Sequence, residues 1–267
     1  MSRFHSIGIS DPRFERDGLR HITVKSPSLK GRGDITVFVP SGAENGRELP
    51  IAILLHGIFG SHLDWSMRGG AHQTANRLIE TGEIAPLLLA MPSDGLWGDG
   101  SGYLAHDDKD FENWIVEDVP AAVRETVDQA GEASPLCIGG LSMGGFGAMI
   151  LGARHAGKFR AISAHSSVTV LDQIGRRVQE DPTRFGIADH DKCVLQTLVA
   201  HREQLPPLRL DCGDQDILRP ANRKLTKELA KAGIPHSYEE FPGDHDWPYW
   251  EAHIEDSLRF FDERLRR

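Results

Sequence analysis

Apolar residues along this chain recur in short runs bounded by glycine and proline, several of them continuous rather than alternating. Ile51-Ala52-Ile53-Leu54-Leu55 and Pro86-Leu87-Leu88-Leu89-Ala90-Met91 carry no polar side chain at any position. Continuous runs of this length suit strands buried on both faces of a parallel sheet, whereas a half-exposed strand would alternate. The runs predict strands near 20–25, 34–39, 51–55, 86–91, 135–139, 159–164, 207–212 and 236–241. Stretches with helical spacing between them predict helices near 69–81, 113–130, 143–155, 220–232 and 250–265. The first two strands are too close for a helical crossover, so they form an antiparallel hairpin edge. From the third strand onward strand and helix alternate. That order gives an α/β fold, a mostly parallel eight-stranded sheet in a three-layer sandwich.

One stretch breaks the rhythm. Residues 166–206 separate two predicted strands by more than a simple crossover needs. Asp172–Glu180 and Lys192–Glu203 within it fit helices. The reading is a small helical insertion serving as a lid over the site; a decorated crossover without a lid role fits the spacing nearly as well. No internal repeat or low-complexity segment is present, and 267 residues suit one domain spanning 1–267.

Composition narrows the partners. The net charge of −9 argues against nucleic acid, whose phosphates require clustered Lys and Arg. No apolar run approaches the ~20 residues that span a bilayer, so no membrane partner is expected. The start of the chain shows no run of signal-peptide length, which points to the cytoplasm. Cys137, Cys193 and Cys212 are an odd count without framework spacing, and they read as buried free thiols. Self-association stays open.

The candidate chemistry starts at Gly140-Leu141-Ser142-Met143-Gly144, which follows the apolar run Pro135–Ile138 and opens a stretch of small residues. Strand, tight turn and helix in that order make a nucleophile elbow, with a strained serine holding its hydroxyl out at the tip. A lone pentad is weak, but it makes a demand. Ligands of parallel α/β sheets meet the loops past the carboxyl ends of strands, so the serine's partners belong there. The strand at 208–212 ends in Gly213-Asp214-Gln215-Asp216. Asp216 has had room to turn toward the serine and is preferred as the acid; Asp214 is second. His245, in the loop after the last strand, is the one histidine of 13 in a post-strand loop beyond the acid. Imidazole suits a base because its unperturbed pKa, ~6.5, lies near working pH, and an aspartate would hold its tautomer. The oxyanion hole needs backbone N–H groups: Met143, just after the serine, and Ile58 in the loop after the third strand, with Phe59 next.

Other residues carry weaker readings. Phe59 and Trp247 are candidates for a substrate pocket. Trp65, Trp97 and Trp250 could share that role, with core packing at least equal for Trp65 and Trp250. Asp189-His190-Asp191-Lys192-Cys193 offers metal-ligand types, but adjacent positions converge poorly on one ion, so a solvated loop is expected. No metal or cofactor is expected.

Together these pieces resemble the esterase D family of α/β hydrolases, which includes S-formylglutathione hydrolases, feruloyl and acetylxylan esterases, short-chain esterases of the tributyrin esterase type and mycolyltransferases. The resemblance rests on Leu54-Leu55-His56-Gly57, on the elbow extended through Gly145-Phe146-Gly147-Ala148, on Cys212–Asp216 and on Gly243–Trp250. It implies the α/β-hydrolase fold over roughly residues 20–265, with Ser142, Asp216 and His245 as a catalytic triad. Formylglutathione hydrolases carry a histidine where this chain has Phe146, and a cysteine in the loop that here reads Ile58-Phe59-Gly60-Ser61. The expectation is therefore a serine hydrolase of short-chain or carbohydrate-linked carboxylic esters, with a small-molecule ester as its partner. Acyl transfer to another alcohol and thioester hydrolysis of the S-formylglutathione type are the alternatives. A binding protein on the same fold is remote, since such a protein should lack a triad member.

Overall fold

A computed structural model describes residues 2–42, 48–95, 98–179, 181, 183 and 192–266. Its strands are β1 (Ile7–Ile9), β2 (Leu19–Ser26), β3 (Gly31–Phe38), β4 (Ile51–Leu55), β5 (Leu88–Pro92), β6 (Leu136–Leu141), β7 (Phe159–His165), β8 (Leu208–Gly213) and β9 (Ser237–Phe241). They form one sheet in the order β1-β2-β3-β5-β4-β6-β7-β8-β9. The links β1–β2, β2–β3 and β3–β5 are antiparallel; those from β5 through β4, β6, β7 and β8 to β9 are parallel. Among the described residues the sheet thus has nine strands, one more than the expected eight. The addition, β1, is three residues long and mostly exposed, too short for an apolar pattern to announce it. The continuous runs behave as their composition demands: every residue of β4, β5, β6 and β8 is buried.

The helices are α1 (Asp64–Met67), α2 (Ala71–Glu80), α3 (Phe111–Asn113), α4 (Val119–Thr126), α5 (Met143–Arg154), α6 (Leu171–Gly175), α7 (Val194–Ala200), α8 (Arg219–Lys231) and α9 (Trp247–Leu265). Residues of α2 and α9, including Ala75, Leu78, Ile254 and Phe261, cover one sheet face. Residues of α4, α5, α7 and α8, including Val123, Met149, Leu198 and Leu229, cover the other. Each buried Val, Leu, Ile, Met or Phe among them contributes roughly 1.5–3 kcal/mol of transfer free energy. α5 is buried along its length from Met143 to Ala153, which explains its lack of a polar face.

Several boundaries differ from expectation. The helix expected over 69–81 starts at Ala71, because Gly70 takes a left-handed φ of 55°. The one expected over 113–130 ends at Thr126, after which Val127 is extended. It also widens into a π turn over Trp114–Asp118. The last helix starts earlier, at Trp247, because the Asp246 side chain accepts the Tyr249 N–H at 3.2 Å. Among the described residues of 166–206 the helices are shorter than expected, α6 and α7 with a 3-10 turn at Arg202–Gln204, and residues 180, 182 and 184–191 lie outside the described residues. Cys137 and Cys212 are buried free thiols, whereas Cys193 is only half-buried. Among the described residues no helix is long and apolar enough to cross a membrane.

The elbow sits where α5 meets the end of β4. A Cβ on Gly140 would lie 2.5 Å from the Gly144 carbonyl carbon and oxygen. One on Gly144 would strike the Leu55 carbonyl and lie 2.6 Å from the His56 carbonyl oxygen. These obstacles are backbone and cannot swing aside. Gly144→Ala is expected to cost about 3 kcal/mol or more, roughly 6–12 °C in Tm. Gly157→Ala, where an added Cβ meets nothing within 4 Å, should stay within about 0.5 kcal/mol of the parent. Equal thermal unfolding midpoints for the two variants would contradict this account.

Candidate active site

Ser142 joins β6 to α5 with φ 53° and ψ −116°. A non-glycine residue in such a conformation costs about 1–3 kcal/mol and must be held there by its surroundings. Its N–H donates to the His165 carbonyl at 3.0 Å, and its carbonyl accepts from Phe146 at 3.2 Å and Val168 at 3.1 Å. β7, α5 and the chain after β7 therefore all fix the residue.

The loop after β8 carries both aspartates, and they separate cleanly. Asp214 Oδ1 accepts the Gly243 N–H at 3.2 Å and so ties this loop to the one after β9. Asp216 is buried; its Oδ1 accepts the Leu218 N–H at 2.7 Å, and its Oδ2 lies 2.8 Å from His245 Nδ1. His245 Nε2 lies 3.0 Å from Ser142 Oγ. Thus Ser142, His245 and Asp216 come together, and Asp214 stays apart. Burial by itself would raise the Asp216 carboxyl, but the His245 hydrogen bond and charge outweigh it and hold the group below its usual value. An ionised carboxylate only accepts, so His245 Nδ1 carries the proton and Nε2 is free to accept from the Ser142 hydroxyl. The imidazole also stands edge-on to Trp250, with centroids 5.0 Å apart.

The loop after β4 is held from several sides. His56 Nδ1 donates to the Gly57 carbonyl at 2.7 Å, and its Nε2 accepts the Asp94 N–H at 3.0 Å. The His56 carbonyl accepts the Tyr103 hydroxyl at 3.0 Å. The Phe59 N–H is committed to the Asp99 carbonyl at 2.7 Å, which removes it as an oxyanion donor. Met143 is the first residue of α5, where a helix leaves its N–H without an internal acceptor. Asp94, Asp99 and Tyr103 were not singled out from sequence, and His56 entered only within the Leu54–Gly57 motif. Asp94 and Asp99 follow β5, and the same search past strand ends that found Asp216 could have flagged them.

A cleft of about 350 Å³ opens over Ser142 and His245. Phe59, Trp247, Ile58, Val168, Ile174 and Ile217 line it, together with Arg68 and Arg177. Trp250 borders the cleft but is buried in the core, and Trp65 is wholly buried, its Nε1 donating to the Leu55 carbonyl at 3.0 Å. Trp97 lies outside the described residues. So do Asp189, His190 and Asp191 of the run weighed as metal ligands; among the described residues no group of three or more such side chains could hold an ion.

Beneath the site lies a buried polar cluster. Asp211 Oδ2 is 2.8 Å from His165 Nδ1 and also pairs with Arg209, while its Oδ1 accepts the Tyr249 hydroxyl at 2.8 Å. Burial pushes the Asp211 carboxyl up, but the neighbouring His165 and Arg209 and the Tyr249 hydroxyl reverse this and hold it at about 2.

A serine hydroxyl, an imidazole and a carboxylate in hydrogen-bonded series past the ends of parallel strands define a serine hydrolase on the α/β-hydrolase fold. A family model described as "Putative esterase" matches residues 26–261, and the chain belongs to that esterase family. It is 28% identical over 235 residues to an acetyl esterase of Caldicellulosiruptor saccharolyticus, covering 81% of this chain and 84% of that one. Among solved structures it is similar to a ferulic acid esterase (TM-score 0.79, 22% identity, 97% and 99% of the two chains). It is also similar to an S-formylglutathione hydrolase from Agrobacterium tumefaciens (TM-score 0.75, 18% identity, 99% and 100%). The protein is an ester-cleaving serine hydrolase, a carboxylesterase.

The Asp211 cluster makes acid stability testable. Asp211 titrates at about 2 in the folded chain against 3.8 as a reference. Its ionised form therefore stabilises the fold fully above pH ~4, and that contribution is lost as pH falls through 2. The magnitude is on the order of 2 kcal/mol. Asp211→Asn should lower Tm at neutral pH and flatten the fall in Tm between pH 5 and 2. Parallel curves for the two proteins would rule out this role.

Proposed function

We propose that Ser142 attacks the carbonyl of a short-chain or carbohydrate-linked carboxylic ester and forms an acyl-enzyme that water then hydrolyses. His245 Nε2 takes the serine proton during attack and returns it to the leaving alkoxide, so the alcohol departs neutral. The same nitrogen takes a proton from water in the second half and returns it to Ser142 as the acid leaves. Asp216 holds the Nδ1–H tautomer and stabilises the imidazolium formed in each half. The Ile58 and Met143 N–H groups are the proposed donors to the tetrahedral oxyanion, each worth about 3–4 kcal/mol in the transition state. The observation that carries this reading is the unbroken series from Ser142 Oγ to His245 at 3.0 Å and from His245 to Asp216 at 2.8 Å.

The cleft supports an apolar acid or alcohol moiety. Phe59 is 64% exposed and adopts φ 59°. An aromatic side chain held out in water on a strained backbone has two costs and no packing return. Contact with substrate supplies one. The segment from Val168 to Arg177 forms a wall of the cleft, and the Gln179 N–H donates to Asp99 Oδ2 at 2.7 Å. That bond links the wall to the residue whose carbonyl holds Phe59, which supports a covering role for part of 166–206. Phe146 is fully buried and adds no polar group to the cleft, which favours oxygen esters over S-formylglutathione. The acetyl esterase relative leans the same way.

A fluorophosphonate probe should label the wild-type protein covalently, and Ser142→Ala should abolish labelling. His245→Ala should reduce kcat roughly 10⁴–10⁶-fold on p-nitrophenyl acetate. Absence of labelling in folded wild type, or undiminished turnover in His245→Ala, would refute the mechanism. Across acetyl, butyryl, octanoyl and feruloyl esters, Phe59→Ala should raise KM about three- to tenfold for the preferred substrate while kcat changes little. An unaltered KM on every ester would remove Phe59 from the substrate contact.

A further inference from the structure

Below the cleft the chain builds a second Ser–His–Asp series. Ser257 Oγ lies 2.7 Å from His165 Nε2, and His165 Nδ1 lies 2.8 Å from Asp211 Oδ2. The distances match those of Ser142, His245 and Asp216, but His165 Nδ1 meets Asp211 as a close ion-pair contact off the hydrogen-bond axis, and the setting differs. Ser257 and His165 are 1% exposed and Asp211 is 0% exposed, so no substrate reaches them. Ser257 also pairs with the buried Ser163 at 2.6 Å. A series sealed in this way performs no ester chemistry, yet its polar groups are costly to bury.

Its links lead to the three parts of the site. The His165 carbonyl accepts the N–H of the strained Ser142. The Asp211 carbonyl accepts the N–H of Ser166 at 2.8 Å, and Asp211 lies on β8, five residues before Asp216. The Asp211 carboxylate receives the Tyr249 hydroxyl. Tyr249 lies in the first turn of α9, four residues past His245, with its N–H on the Asp246 side chain. Its ring closes on Gly243, where an added Cβ would lie 2.7 Å from Tyr249 Cδ2. Ser257, two turns further along α9, fixes the same helix to His165. So one buried cluster is bonded to the serine elbow, to the acid-bearing strand and to the helix that starts at the histidine loop.

We propose that His165, Asp211, Tyr249 and Ser257 are positioning residues of the ester-cleaving site: their directional bonds set the separation of Ser142 and His245. The proposal rests on the reading of Ser142 and His245 as nucleophile and base. Apolar packing tolerates sliding by fractions of an ångström, whereas hydrogen bonds of 2.7–2.8 Å resist it. Misplacement of reacting groups by about 1 Å can cost on the order of 100-fold in rate. No member of the cluster touches substrate, so its loss acts on turnover more than on binding.

The decisive variant is Tyr249→Phe, which deletes one hydroxyl and keeps the ring against Gly243. With p-nitrophenyl butyrate, kcat should fall at least about tenfold and KM should stay within about twofold. The rate of Ser142 labelling by a fluorophosphonate should fall in parallel. Ser257→Ala, measured alongside, should lower kcat and the labelling rate about three- to tenfold, and it serves if Tyr249→Phe does not fold. A variant with lower Tm but wild-type kcat and labelling rate would overturn the proposal, leaving the cluster a purely structural one. Failure of the wild-type protein itself to label would instead strike the nucleophile assignment, so the two ideas fail separately.

Discussion

The close approach of α5 to the carbonyls that end β4 governs the rest of the site. Gly140 and Gly144 leave no side chain between these backbones. The serine between them is therefore driven into a conformation that L-residues avoid, and its hydroxyl is turned out of the sheet. The same contact sets the first turn of α5 beside the loop Gly57–Gly60, so the placement of the proposed nucleophile and of the proposed oxyanion donors follows from one steric fact. Nothing about this contact depends on the identity of a side chain, which is why small residues crowd the stretch from Gly139 to Ala148.

What could be read from the sequence was what the chain encodes locally. Buried parallel strands such as β4 and β5 declare themselves through unbroken apolar runs, and each of the eight expected strands has a counterpart. The order of serine, aspartate and histidine past strand ends depended on topology alone, and those three side chains meet. Asp216 and Asp214 could be ranked because three residues of loop suffice to turn a side chain back toward the sheet. Helix ends were harder to read, since Gly70 and Asp246 decide them through backbone and capping geometry.

The supporting groups were not legible for a physical reason. His165 and Asp211 are 46 positions apart, and Asp211 and Tyr249 are 38 apart, so no spacing rule joins them. Asp211 inside a strand could be set aside as structural, but its partners emerge only when β7, β8 and α9 pack. The same holds for His56, Asp94 and Tyr103, which brace the loop after β4 from two other segments. Reactive groups lie at strand ends by topological rule; the groups that hold them steady obey packing, which is known only in three dimensions.

The two ends of the sheet have a consequence of their own. β1 presents three residues to the outside. β9 is closed differently: Arg223 binds Glu240 through two bonds of 2.5 and 2.6 Å, and Glu239 stands exposed beside it. A neighbouring chain seeking to add a strand meets too little backbone at one edge and a wall of charge at the other. Copies of this protein are thus deterred from joining edge to edge into extended sheets.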